Sequence, residues 1–86
     1  MIDKNLKIRM IEFNVDVDAS GLHCPLPLLR LKKALKEMQS GEIVRVIATD
    51  PAAHLDFGVY AEQTANEIIE YFNDEEGRQV FFIRKK

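Results

Sequence analysis

The chain has a single cysteine among its 86 residues, so neither an internal disulfide nor a Cys-x-x-Cys redox pair can form. It has no apolar run approaching the roughly 20 residues needed to span a bilayer. Its N-terminus lacks the charged-then-apolar order of a secretory leader. Charge of one sign is also missing: the formal net charge is -2 and acidic and basic residues are interspersed, which gives no global drive toward nucleic acid or anionic lipid. A glycine-rich phosphate loop and a Gly-x-Ser-x-Gly elbow are both absent. These absences argue against a stapled secreted fold, a membrane protein and a direct nucleic-acid binder, and they read as a cytoplasmic protein.

What remains is an ordinary globular balance, 47% hydrophobic and 30% charged, in a length that admits one compact core. Ile11, Phe13, Val15 and Val17 alternate with Glu12, Asn14, Asp16 and Asp18, the period of a strand with one buried face. Leu28, Leu31, Leu35 and Met38 then recur at helical spacing until Ser40-Gly41. Ile43, Val44, Val46 and Ile47 predict a second strand, which runs into Asp50-Pro51 as N-cap and first residue of a second helix to about Asn66. Gly58 predicts a bend or short break in that helix. Two strands flanking the polar run Asn73 to Gly77 complete the order β-α-β-α-β-β. The expected fold class is an α/β (α+β) two-layer sandwich, a four-stranded mixed sheet with two helices on one face. Residues 1–9 read as a tail and residues 10–86 as the domain.

Cys24 lies in Cys24-Pro25-Leu26-Pro27, at the start of the first helix. An arbitrary cytoplasmic cysteine is more often a small buried hydrophobe than a reactive group. Position argues for reactivity here. With Cys24 at the N-cap, Pro25 and Pro27 fall in the first turn, where they cost the helix little and stiffen the segment that bears the sulfur. The free N–H of Leu26 and the helix dipole would then favour thiolate and lower the thiol pKa, with His23 in a minor role.

At about 100° per residue, Leu26 and Leu29 project away from the core stripe, on the side of Lys32, Lys33 and Lys36. An apolar lip edged by Arg30, Lys32, Lys33 and Lys36 suits a partner with an acidic rim, although a solvated helix face with two stray leucines has the same pattern. Asp50 is most simply a cap, and whether Asp50 or Asp56 faces Cys24 depends on strand order. His54 reads as a surface helix residue. His23, Cys24, His54 and an aspartate lack metal-ligand spacing, so no metal and no cofactor is expected.

The run Asp18-Ala19-Ser20-Gly21-Leu22-His23-Cys24-Pro25-Leu26-Pro27, followed by a basic helix, Gly41-Glu42 and Thr49-Asp50-Pro51, resembles the TusA family, also called SirA-like. The resemblance covers Ile11 to Lys85. It implies a small sandwich that accepts sulfane sulfur from a cysteine desulfurase or rhodanese on Cys24 and passes it to an acceptor protein. Family outlets include 2-thiouridine formation in transfer RNA, sulfur oxidation, molybdenum cofactor assembly and selenium metabolism. Gly21, Pro25, Pro27, Asp50 and Pro51 match its motif positions. The chain departs from the family where it reads Asp56-Phe57-Gly58 instead of Asp-Ile-Pro, and many members carry an aromatic or a second cysteine where Tyr60-Ala61 stands, which here supplies an aromatic and no cysteine.

Sulfur relay needs only a nucleophilic, accessible thiol and no general base. It is a stoichiometric transfer rather than multiple-turnover catalysis. A regulatory module, either a thiol redox sensor or a nucleic-acid- or protein-binding domain, is the alternative, and a resolving thiol would then come from glutathione or a partner. A hydrolase using Cys24 with His23 or His54 ranks last, because two prolines remove N–H donors from the turn where an oxyanion hole would form.

Overall fold

The computed structural model describes residues 11–86. The expected tail at residues 1–9 lies outside the described residues. Six elements follow one another: β1 (Val15–Ala19), α1 (Leu26–Glu37), β2 (Ile43–Ala48), α2 (Ala53–Thr64), β3 (Glu67–Asn73) and β4 (Gln79–Arg84). The sheet order is β1-β2-β4-β3, with β1 parallel to β2 and both β2 and β3 antiparallel to β4. The helical connection from β1 to β2 makes the parallel pair, and the polar turn at Asp74–Gly77 makes the antiparallel hairpin. This is the four-stranded mixed sheet and β-α-β-α-β-β order expected from the sequence.

Both helices pack on one sheet face. Strand register places Val17, Val46, Phe81 and Tyr71 in one row and Val15, Val44, Ile83 and Ile68 in the next. Against these rows lie Leu31, Leu35 and Met38 from the α1 region and Ala53 and Phe57 from α2. Phe57 meets Phe81 edge-on at 4.7 Å between centroids, an arrangement that suits the ring quadrupoles. The apolar doublet Ile68-Ile69 breaks strict alternation, and the register shifts between Ile68 and Glu70. That bulge returns Tyr71 to the helix-covered face.

Three expectations need correction. The first strand begins at Val15, and Phe13 does not join the core face: its ring packs on Phe82 and beneath the Arg45 guanidinium, on the helix-free side. Helix α2 begins at Ala53, after a turn through Pro51, instead of at Pro51 itself. It runs unbroken through Gly58, because buried Ala53 and Phe57 anchor it and the glycine costs only about 1 kcal/mol of helix propensity.

Candidate functional site

Cys24 stands at the end of the sheet from which β1 and β2 both exit. The β1–α1 loop is pinned at two points. Gly21 adopts φ +79, a conformation glycine takes without steric cost, and its N–H donates to Thr49 Oγ1 at 2.8 Å. The N–H of Cys24 donates to the Asp50 carboxylate. Asp50 is held in turn, since its other carboxylate oxygen accepts the Ala52 N–H at 2.9 Å. Its backbone carbonyl accepts the side-chain amide of Gln79 at 2.7 Å. Gln79 is the one buried polar side chain among the described residues, and it belongs to the central strand β4. A chain of hydrogen bonds thus runs from the sheet through Asp50 to the backbone of the cysteine.

The helix start differs from the sequence expectation. Pro25 occupies the N-cap of α1, so Cys24 precedes the cap by one residue, and Leu26 and Pro27 are the first two helical positions. The Cys24–Pro25 peptide is cis. The Leu26 N–H, expected on the sulfur, donates instead to the carbonyl of His23 at 2.8 Å. Pro27 is buried, while Pro25 is exposed.

The thiol is exposed and finds a different partner. Cys24 Sγ donates to Asp56 Oδ2 at 3.2 Å. The expected lowering of its pKa is therefore reversed. The hydrogen bond to the Asp56 carboxylate, partial desolvation and the negative charges of Asp56 and Asp50 all push the thiol above its ordinary value. Asp50 shifts the other way: the Ala52 and Cys24 N–H groups hold its carboxyl below the usual range, with a smaller contribution from His23. Strand order settles the question left open above, and both aspartates face the cysteine. The sequence marked Asp56 by its place near a strand end and by the Asp56-Phe57-Gly58 run, neither of which shows that it meets the sulfur.

The remaining candidates fall around this centre. Leu26 and Leu29 are 47% and 50% exposed, and α2 adds Leu55 and Val59 at 69% and 46%, on either side of Asp56 in sequence. Lys32 leans over the Tyr60 ring between the helices, so it does not join the outer basic edge. Arg30 and Lys33 border a groove along β1 that also presents Asp16 and Asp18. Pro51 is exposed in the turn before α2. His54 stacks on Tyr71 at 4.4 Å. Among the described residues, no group of three or more His, Cys, Asp and Glu side chains is arranged to hold a metal ion. No helix among them is long and apolar enough to cross a membrane.

Comparison with known proteins gives a consistent result. The family model for the sulfurtransferase TusA matches residues 15–85. The sulfur carrier protein TusA of Allochromatium vinosum is 51% identical over 77 residues, covering 90% of this chain and 99% of that protein. The sulfur carrier protein TusA of Pseudomonas entomophila is 36% identical over 70 residues, covering 81% and 86%. A crystal structure of a SirA-like protein from Desulfitobacterium hafniense superposes with a TM-score of 0.75 at 29% identity, over 83% of this chain and 96% of that one.

Proposed function

The chain belongs to the TusA sulfurtransferase family, and from that premise we propose that it carries sulfane sulfur as a persulfide on Cys24. The observation that carries the reading is the exposed thiol of the one cysteine, set at the tip of a loop whose backbone is pinned by Asp50. A sulfur so placed can reach a partner's persulfide without rearrangement of the fold, and its pinned backbone lowers the entropy lost on docking. The donor is a cysteine desulfurase or a rhodanese, and the recipient is a second protein with an acceptor thiol. The exchange takes place in the cytoplasm, where thiols stay reduced.

The exposed leucines and the cations Arg30 and Lys33 form the docking edge, the charges steering encounter with acidic partners and the leucines supplying contact. Transfer-RNA thiolation is one outlet for the carried sulfur. The test is delivery. Chain loaded with labelled sulfur and freed of its donor should pass the label to an acceptor protein bearing a free cysteine and should revert to the unloaded mass. Retention of label on the chain would count against a relay.

A further inference from the structure

Building on the carrier reading, we propose that Asp56 is the proton acceptor of Cys24 during sulfur uptake, holding the thiol proton in the empty chain and passing it to the donor's leaving sulfur. Geometry supports it first. Asp56 Oδ2 lies 3.2 Å from Sγ, within reach for proton transfer, and the residue sits in the first turn of a helix anchored by buried Phe57. Elimination supports it next. Both oxygens of Asp50 are engaged by the N–H groups of Cys24 and Ala52, and His23 acts on Asp50. The first turn of α1, Leu26 to Leu29, carries no charged side chain. Asp56 is the carboxylate whose oxygen rests on the sulfur.

The step balances without an added oxidant or reductant. A lone pair on Sγ bonds to the terminal sulfur of the donor persulfide, and the donor S–S bond breaks with its electron pair leaving on the donor sulfur. The proton moves from Sγ to Asp56 and then to that donor sulfur. Cys24–SH and donor–S–SH become Cys24–S–SH and donor–SH.

This arrangement has opposite consequences for two reactions of one atom. Alkylation by iodoacetamide needs only thiolate, and the neighbouring carboxylate suppresses it. Sulfur uptake must also deliver a proton to the leaving sulfur, and the carboxylate assists it. Both rates can be followed by intact-protein mass spectrometry between about pH 6 and pH 10, with iodoacetamide and with glutathione persulfide, on wild type, Asp56→Asn, Asp56→Ala and Asp56→Glu.

At neutral pH, Asp56→Asn should alkylate about three- to tenfold faster and take up sulfur at least about tenfold more slowly. The uptake gap should close at alkaline pH, where the thiol ionises unaided, and Asp56→Glu should recover part of the loss. Asp56→Ala should show the same split if Asn perturbs folding. Uptake that rises in parallel with alkylation, or rates that do not change, would overturn the proposal. A wild type that takes up no sulfur while the alkylation difference persists would instead fail the carrier reading, and the relay with it.

Discussion

Gln79, buried in the central strand β4, donates its side-chain amide to the backbone carbonyl of Asp50 at 2.7 Å, and Asp50 holds the backbone N–H of Cys24. Register explains why a glutamine fits there. Its row across the sheet contains Ala48 and Ala19, whose small side chains leave room for an amide to reach the loop. Replacing Gln79 by Leu leaves the Asp50 carbonyl without its partner, at a cost of about 1–3 kcal/mol. A lower melting temperature is expected, with slower loading of Cys24 although the cysteine itself is untouched. Unchanged loading in a destabilised Gln79→Leu chain would show that the hydrogen-bond chain does not position the sulfur.

The raised thiol sets the sign of an alkaline effect. Because folding favours the protonated form of Cys24, the folded chain holds a proton that the unfolded chain releases first. Stability from this source is fully present below the ordinary thiol range and is lost as pH rises through the higher folded value. Wild type should lose thermal stability relative to Cys24→Ser as pH climbs through that window. A constant difference across it would mean that the carboxylates do not act on the sulfur.

Phe57 secures the helix that carries Asp56. It is fully buried and packs edge-on against Phe81. Phe57→Ala should cost about 3–5 kcal/mol, read by denaturant unfolding. The same substitution should bring alkylation of Cys24 toward that of Asp56→Asn, since a loosened helix withdraws the carboxylate.

The docking edge proposed above should be separable from the fold. Leu29 is half-exposed, and Lys33 is exposed. Leu29→Asp and Lys33→Glu should leave stability within about 0.5 kcal/mol while slowing sulfur uptake from a protein donor. Uptake from glutathione persulfide should be preserved in both. The Lys33→Glu effect should shrink as salt is raised, because surface charge steering is screened.

The alternation at Val15 and Val17 and the stripe Leu31, Leu35 and Met38 made the architecture legible, because their spacing matches the faces they bury. The polar run from Asn73 to Gly77 marked the hairpin for a similar reason. The placement of Cys24 in a proline-stiffened turn beside exposed leucines was also readable. Local signals could not show what the sulfur touches. The capping argument assigned the Leu26 N–H to it, whereas that group closes a turn on His23 and the sulfur meets a carboxylate 32 residues away. The direction of the thiol shift followed that error. Gln79 was legible only as one polar residue ahead of the run Val80 to Ile83, and its role needs strand order to appear.

The most direct measurement is the intact mass of wild type and Cys24→Ser after incubation with a cysteine desulfurase and cysteine, before and after treatment with reductant. A gain of one sulfur atom on wild type alone, removed by reductant, is the predicted result. Absence of that gain from both a desulfurase and a rhodanese donor, or an equal gain on Cys24→Ser, would contradict a carrier that works through this cysteine.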